Sequence, residues 1–254
     1  MKKIITLACL ICMITISCQV DQKSSTSKNM FTSGEWIDLS HSYDQKTPYW
    51  PTSNGFELDT VFEGMTDGGY YYSAFSFSSA EHGGTHIDAP IHFSEGKQTV
   101  DEIPLSNLIG PGIVIDVQDS VRNYIDYQIS VEDFQRWESD NGDIPDGSIV
   151  LLRTGMSNVW PDKDKYMGTN QTGAAAVALL HFPGLHPEAA EWLTKNRKIA
   201  AIGIDTPSID YGRTSDFMSH RILFEQNIPA FENLNDLEKI EDITEFINRT
   251  LIDG

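Results

Sequence analysis

Short apolar runs separated by polar, turn-rich segments recur along the chain and predict buried strands of an α/β sheet. They lie at residues 113–117, 149–153, 199–204 and 228–234. Residues 36–40 predict a first strand. The aromatic segment 70–78 alternates in part and predicts a strand that leads into the loop that follows it.

Helix signals fall between these strands. Ser130 is followed by Asp133 at the spacing of a capping box, and Pro187 stands at a first helical position with Glu188 in the first turn. Residues 215–223 begin a further helix. Strands that alternate with helices, without an internal repeat, predict a single α/β domain over residues 35–254.

The first residues predict an export signal. Lys2 and Lys3 precede an apolar run of roughly 14 residues, which is too short for a comfortable membrane span. All three cysteines of the chain, Cys9, Cys12 and Cys18, lie in or at the end of this segment. The exported domain is therefore not a disulfide scaffold.

Cys18 has the position of a lipidated residue. It follows the small residue Ser17 and precedes a polar stretch, an arrangement that resembles a bacterial lipoprotein signal. We therefore predict a signal peptide at residues 1–17 and a flexible tether, beginning at the lipidated Cys18, at residues 18–34. The protein would then sit in the bacterial cell envelope, on the periplasmic side or at the outer membrane, and touch the membrane only through lipid. Plain cleavage or an uncleaved anchor is the alternative.

Net charge argues against one class of partner. The chain carries 37 acidic residues against 18 Lys and Arg, a formal net charge of −19, and loss of Lys2 and Lys3 with the signal takes it from −19 to −21. Such an acidic protein repels phosphate backbones, so nucleic acid is not an expected partner.

A candidate metal site lies in residues 81–93, where three of the seven histidines of the chain fall beside an aspartate. Imidazole and carboxylate ligands suit zinc, manganese or iron. In an extended segment His86 and Asp88 share one face, and the glycines at 83 and 84 can bring His82 round to it. The alternative is a surface loop rich in histidine, or histidines that hydrogen-bond within the core.

The segment 82–92, His-Gly-Gly-Thr-His-Ile-Asp-Ala-Pro-Ile-His, resembles the His-x-Gly-Thr-His-x-Asp-x-Pro-x-His signature of the cyclase family, which includes bacterial kynurenine formamidases and isatin hydrolases. Residues 205–210 resemble that family's Asp-Thr-Pro-Ser-x-Asp turn. The resemblance implies a mixed central sheet flanked by helices, of the swivelling β/β/α kind, and a homodimer.

The resemblance also implies roles for individual residues. His82, His86 and Asp88 would hold one ion, and Asp88 would bridge to a second ion held by His220 and Glu232, which lie twelve residues apart. Zinc, as one or two ions, is expected, and manganese is the alternative. In the proline-bounded loop before the motif, Trp50 is either a hydrophobic plug or one wall of the substrate pocket, and the resemblance favours the wall.

The resemblance implies a metal-dependent hydrolase that cleaves a carbon–nitrogen bond in a small aromatic amide or imide, either an arylformamide of the N-formylkynurenine type or a cyclic aryl amide. A bound divalent ion lowers the pKa of a coordinated water and polarises a carbonyl, and His92 would carry protons. Trp50 and the aromatic segment 70–77 would give a flat apolar wall. The alternatives are a lactone or isatin-type ring opener, or an exported binding lipoprotein without turnover, which would have no use for His92.

The sequence leaves alternatives for the roles of His181 and His186 and for the structure of the C-terminal tail. His181 and His186 are either additional ligands or residues that cap a helix or hydrogen-bond, and the second is favoured. Beyond Leu237 the chain ends in a charged, helix-like tail, where members of the cyclase family continue into an apolar strand. One strand of the sheet is therefore expected to be missing or replaced.

Cys18→Ser should release the protein from the membrane fraction into the soluble fraction, because several buried acyl chains are needed to hold a domain on a membrane. Fractionation of cells and the intact mass of the mature protein test this. An unchanged membrane fraction, or a wild-type mass without lipid, would contradict lipidation at Cys18.

Overall fold

Strands and helices alternate through the part of the chain that the computed structural model describes, residues 35–240 and the backbone of 244–247. The strands are β1 (Glu57–Met65), β2 (Tyr71–Ser78), β3 (His86–Asp88), β4 (Ile109–Asp116), β5 (Gln128–Ile129), β6 (Ile149–Arg153), β7 (Gly184–Leu185), β8 (Ala201–Ile204), β9 (Ala230–Glu232) and β10 (Thr244–Ile247). The α-helices are α1 (Gln118–Asn123), α2 (Val131–Asn141), α3 (Lys163–Met167), α4 (Pro187–Asn196) and α5 (Met218–Glu225). The predicted signal peptide, Cys18 and the tether lie outside the described residues.

A mixed sheet organises the domain, in the order β10-β4-β6-β8-β9-β3 among the described residues. Strands β4, β6, β8 and β9 run parallel, while β10 and β3 pair antiparallel at the two edges. The chain divides into two units, Met1–Trp36 and Ile37–Gly254, and all the elements named above belong to the second. The predicted α/β class with a mixed central sheet flanked by helices is confirmed.

Side chains of the central strands alternate between two buried layers. On β4, Ile113 and Ile115 pack into the larger core cluster with Phe134 of α2, whereas Val114 packs into a second cluster with Phe231 of β9. Burial on both faces explains why these strands are continuous apolar runs rather than alternating ones.

The predicted starts of α2 and α4 are confirmed, whereas α5 begins at Met218, inside the segment predicted to be helical from residue 215. Ser130 caps α2 with Asp133 in a reciprocal capping box, and His186 caps α4 by accepting a hydrogen bond from the backbone N–H of Glu188 at 3.2 Å. His181 hydrogen-bonds Asp126 through Nδ1 at 3.0 Å. Both histidines therefore have structural partners away from the motif.

Two predictions about the ends of the domain are wrong. Residues 36–40 form no strand, because the segment makes only isolated bonds, such as the one from the Asn235 N–H to the Leu39 carbonyl at 2.8 Å. The tail is not helical at β10, whose backbone pairs with β4. Intrinsic helix signals in the tail are overridden there by an open sheet edge.

Sequence reasoning predicted β2 but missed its partner β1, with which it forms a hairpin. Its strands pair antiparallel with a register shift between Thr60 and Phe62, and within the described residues they form a sheet of their own. Among the residues described, no helix is both long and apolar enough to cross a bilayer.

Candidate metal centre

The five predicted ligands come together at the edge of the mixed sheet. His86 and Asp88 lie on β3, whose antiparallel pairing sets His86 opposite Glu232 on β9. His220 comes from α5, and His82 from the loop before β3. All of these except His82 are buried. Chain segments almost 150 residues apart thus meet in one polar cluster.

The Asp88 carboxylate lies between two sets of histidines. Its Oδ1 is 2.7 Å from His82 Nδ1 and 3.0 Å from His86 Nε2, while its Oδ2 is 3.3 Å from His220 Nε2. Glu232 Oε1 is 3.1 Å from His220 Nε2. Two groups of ligand atoms result, each within 4.8 Å, and both contain Asp88. This is the arrangement in which one carboxylate can serve two cations.

The donor atoms fit a divalent ion. His86 donates its Nδ1–H to the Gly84 carbonyl at 2.9 Å, which leaves Nε2 as the free ligand atom. That Nε2 is buried and, although near Asp88, is not aligned for a hydrogen bond with any described residue. A buried nitrogen without a partner, beside carboxylates, is a natural position for zinc or manganese. The role of the five residues as ligands remains a prediction.

Electrostatics of the cluster favour a cation. Burial, followed by the charge of Asp88, raises the pKa of Glu232. Burial alone would lower the pKa of His86, but the carboxylates of Asp88 and Glu232 raise it to about 9. Burial opposes ionisation of Asp88, yet the imidazoles of His220, His82 and His86 hold its pKa well below the usual range. Without a metal, protons on the histidines balance the carboxylates.

Asp210 orients His220, a role that the sequence did not reveal. Its Oδ2 lies 2.6 Å from His220 Nδ1 and accepts the His220 backbone N–H at 3.1 Å, while Oδ1 accepts the Ser219 N–H at 2.9 Å. One carboxylate therefore fixes both the start of α5 and the ring orientation. Because Asp210 holds Nδ1, the other ring nitrogen, Nε2, faces Asp88 and Glu232. Histidines that bind metals are commonly oriented by such a hydrogen bond at the nitrogen that does not bind the ion.

Asn233 holds the other side of the cluster. It adopts a left-handed conformation with φ of 55° and donates its Nδ2–H to the Gly84 carbonyl at 2.8 Å. Its Oδ1 accepts a hydrogen bond from the buried Tyr166 hydroxyl at 2.8 Å. Asn233 thus shares the Gly84 carbonyl with His86 and fixes the loop that carries this ligand.

Tyr49 packs directly on Gly83, the first glycine of the motif. A Cβ atom on Gly83 would lie 1.9 Å from Tyr49 Cε1, so only glycine leaves room for the ring. The two residues also form an isolated backbone bridge, and the Tyr49 hydroxyl lies 2.6 Å from Ser79 Oγ. Gly83 is therefore required for close approach, whereas Gly84 is required both for its φ of 66° and because a Cβ would lie 2.5 Å from the Tyr43 ring.

A cavity of about 250 Å³ opens on this cluster. Four of the five predicted ligands line it, together with His92 and with an aromatic wall formed by Trp50, Phe93 and Phe217. Phe93 and Phe217 stack with centroids 5.2 Å apart. Trp50 lies against Phe217 with centroids 6.3 Å apart. Trp50 thus lies in the wall that the resemblance implied, while its contact with substrate remains a prediction.

The prediction that segment 70–77 forms the wall is wrong. None of the described residues around the cavity comes from β2, whose aromatic side chains are exposed. The wall instead includes Phe93, directly after the motif, and Phe217, at the start of α5. Phe93 and Phe217 lie close in the sequence to His92 and His220, and this closeness could have predicted that they line the cavity.

His92 ends a short 3-10 helix, Pro90–His92, and its ring stacks on that of His82 with centroids 3.9 Å apart. Burial against the cavity wall lowers the pKa of His92 to about 4, although the charge of Asp88 acts in the opposite direction. At neutral pH the imidazole is therefore uncharged and able to accept a proton.

The chain is similar in sequence and in fold to known hydrolases. Residues 37–211 match the model of the Cyclase family. Kynurenine formamidase of Bacillus cereus is 28% identical over 204 residues, which cover 79% of this chain and 82% of the relative. Isatin hydrolase of Roseibium aggregatum is 28% identical over 193 residues, with coverage of 72% and 70%. The solved structure of isatin hydrolase A from Labrenzia aggregata bound to benzyl benzoate aligns with a TM-score of 0.72 at 26% identity, over 82% of this chain and 83% of that one.

Gly83→Ala should weaken metal binding by roughly 10–100-fold, the usual effect of disturbing an outer-shell contact. The new methyl group must displace the Tyr49 ring and, with it, the loop that carries His82 and His86. Gly55→Ala is the matched control, since its methyl group would meet the same ring at an ordinary 3.8 Å. Competition with a chelator measures both affinities, and equal values for the two variants would refute the packing argument.

Metal affinity should rise with pH between about 6 and 9. His86, with a pKa raised to about 9, carries a proton at neutral pH that a divalent ion must displace, and the raised pKa of His220 acts in the same direction. Each displaced proton changes the affinity by up to about tenfold per pH unit. Titration of Mn²⁺ at several pH values gives the slope, and His181→Asn, outside the cluster, should keep it. An affinity that does not depend on pH would contradict this account.

Proposed function

The chain belongs to the cyclase family of hydrolases, and from this premise we propose that it is a metal-dependent hydrolase of the carbon–nitrogen bond in an aryl amide. The substrate classes proposed are arylformamides of the N-formylkynurenine type and cyclic aryl amides of the isatin type. The observation that carries the proposal is the juxtaposition of the ligand cluster, the uncharged His92 and the aromatic wall around one cavity.

The chemistry divides between an ion and the side chains of this chain. A divalent ion held by His82, His86 and Asp88, with a second at Asp88, His220 and Glu232, would supply an acidified water and polarise the substrate carbonyl. His92 would take a proton from the attacking water and deliver it to the leaving nitrogen. The carbonyl carbon then gains a C–O bond as its C–N bond breaks, giving a carboxylic acid and an aryl amine.

The low pKa of His92 leaves its imidazole free to accept a proton, although as a weak base, and favours the later delivery of that proton. An imidazole with a pKa of about 4 is unprotonated when water attacks. Once protonated, it is a strong acid toward the departing nitrogen, which as an amide-derived leaving group requires a proton. His92 is also held in place, because its ring stacks on His82.

The size and walls of the cavity support an aromatic substrate. An apolar cavity of about 150 Å³ is enough for benzene. The volume of about 250 Å³ therefore admits one ring with a short acyl or amide substituent, or a small fused ring system. Trp50, Phe93 and Phe217 present flat faces against which such a ring can stack. The isatin hydrolase A structure with benzyl benzoate is of a relative that binds an aromatic molecule.

The predicted setting of this hydrolase is the cell envelope, anchored through Cys18. This prediction rests on the amino-acid sequence alone: Lys2 and Lys3 precede an apolar run, and Cys18 lies at the end of that run. An enzyme on the outer side of a membrane meets aryl amides and cyclic aryl amides that are taken up or released, and lactones are a related class open to the same attack.

Turnover of a substrate panel by metal-loaded and metal-depleted protein tests the proposal. Formanilides, isatin and aliphatic formamides form the panel, and the acid and amine products are measured. Metal-loaded protein should hydrolyse at least one aryl substrate, and His86→Ala, which removes a ligand, should lose bound metal and turnover together. Turnover confined to aliphatic amides, or a His86→Ala variant with the wild-type rate, would overturn it.

His92→Asn should lower kcat by roughly two to four orders of magnitude while bound metal stays at the wild-type level, because asparagine cannot carry the proton. Elemental analysis and kcat on the best aryl substrate are the measurements. His181→Asn provides a control at a histidine whose partner is Asp126. A His92→Asn variant with normal turnover would assign His92 a structural role.

Trp50→Ala should raise KM for an aryl substrate more than it lowers kcat, as expected when a contact of equal strength in the ground and transition states is removed. Trp192→Ala is the control, since Trp192 packs on Phe134 and lies outside the cavity wall. Unchanged KM in Trp50→Ala would remove Trp50 from the substrate site.

A further inference from the structure

Phe217 has a backbone conformation that aromatic residues rarely adopt. Four residues other than glycine have a positive φ among those that the structure describes, and three of them, Asn227, Asn233 and Asp236, are of the types that tolerate it. Phe217 is the fourth, at φ of 51° and ψ of 44°, in the left-handed region. A side chain there crowds the following carbonyl oxygen, which is unfavourable for every residue except glycine. A bulky residue in this region therefore requires a physical reason.

Hydrogen bonds on both sides hold Phe217 in this conformation. Its backbone N–H donates to Thr214 Oγ1 at 3.3 Å, and its carbonyl accepts the Arg221 N–H at 3.1 Å. The Asp210 carboxylate accepts two further backbone N–H groups in the first turn of α5. The residue is thus fixed between a turn and an anchored helix start, and surroundings of this kind can maintain backbone strain.

The contacts of the Phe217 ring indicate what the strained backbone serves. The ring lies at centroid distances of 5.2 Å from Phe93, 6.3 Å from Trp50 and 6.4 Å from His220. These three residues line the cavity, as Phe217 itself does. Trp50 and Phe93 also pack against the larger core cluster, whereas Phe217 belongs to neither cluster of the described core. The conformation of Phe217 therefore serves the cavity wall and not the packing of the core.

We propose that Phe217 makes the cavity selective for an aromatic ring over a saturated ring of the same size. The proposal rests on the proposed hydrolase function and assigns its ring selectivity to one side chain. Two aromatic rings attract each other at centroid distances of about 4.5–7 Å beyond the effect of buried area, and a saturated ring lacks this attraction. Because Phe217 lies 6.4 Å from the ring of His220, a predicted ligand, an aryl group packed on Phe217 would hold its amide near the ligand cluster.

Two pairs of compounds test this selectivity. Formanilide and N-cyclohexylformamide differ in whether the ring is aromatic and report on turnover. Benzoate and cyclohexanecarboxylate differ in the same way, contain no amide to hydrolyse, and report on binding to the metal-loaded protein by calorimetry. Phe217→Leu keeps an apolar side chain but removes the flat face. It should lower the aromatic preference, in kcat/KM and in affinity, by roughly 2–12-fold relative to the wild type, the range that an aromatic pair contributes.

Phe62→Leu is the matched control, because Phe62 lies on β1, packs on Tyr72 and is outside the cavity wall. It should keep the wild-type preferences. Circular dichroism and bound metal establish that each variant is folded. A wild type without a preference for benzoate, or a Phe217→Leu variant with the wild-type preference, would overturn the proposal. If Phe217→Leu loses the preference for benzoate but the wild type hydrolyses no aryl amide, the role of Phe217 stands and the proposed function fails.

A second pair of variants tests the strain. Phe217→Gly and Phe217→Ala both remove the ring, but only glycine adopts the left-handed conformation without strain. The metal-loaded Phe217→Gly variant should therefore unfold at a temperature about 2 °C or more above that of Phe217→Ala. At an unstrained position the order is the reverse, because glycine has the more flexible unfolded chain. A Phe217→Gly variant that melts at or below Phe217→Ala would overturn the argument that strain places the ring in the cavity wall.

Discussion

Two buried carboxylates that share a histidine impose the constraint on which the rest of the site depends. Asp88 and Glu232 lie 3.3 and 3.1 Å from His220 Nε2, and all three side chains are almost fully buried. Like charges this close and this buried are costly unless positive charge lies with them. Protons on the histidines or divalent ions supply that charge. The fold therefore holds buried negative charge at a fixed position, and that charge must be balanced by protons or cations. The surrounding hydrogen bonds determine which side-chain atoms face the balancing charge.

The outer partners show how the fold enforces this geometry. Asp210 fixes His220 from the turn after β8, and Asn233 fixes the Gly84 carbonyl from the residue after β9. Glu232 is itself held by the Ile209 N–H at 2.8 Å. These partners lie at or just beyond the ends of two neighbouring strands, where parallel sheets tend to place their functional groups. Hydrogen bonds from residues anchored at the strand ends thus fix the positions of the predicted ligand atoms.

The sequence predicted the site better than it predicted the surroundings of the site. The spacing of His86 and Asp88 on one strand is local, so an extended segment brings both to one face without knowledge of the fold. The contributions of Asn233 and Asp210 depend on a contact with Gly84 and on the start of α5, which no local pattern encodes. The aromatic segment 70–78 was correctly predicted as a strand and wrongly placed at the cavity. Alternation predicts a strand with a face to bury, but it does not identify what covers that face.

The distance along the chain between the two halves of the site has a consequence for how the protein acquires its metal. Because β3 pairs with β9, the cluster is incomplete until Glu232, near the end of the described domain, has joined the sheet. A chain that crosses a membrane unfolded would reach that state only on the far side. Divalent metals follow a nearly fixed order of affinity for sites of this kind. In an exported protein, the metals available in the cell envelope, rather than those in the cytoplasm, would then determine which ion binds.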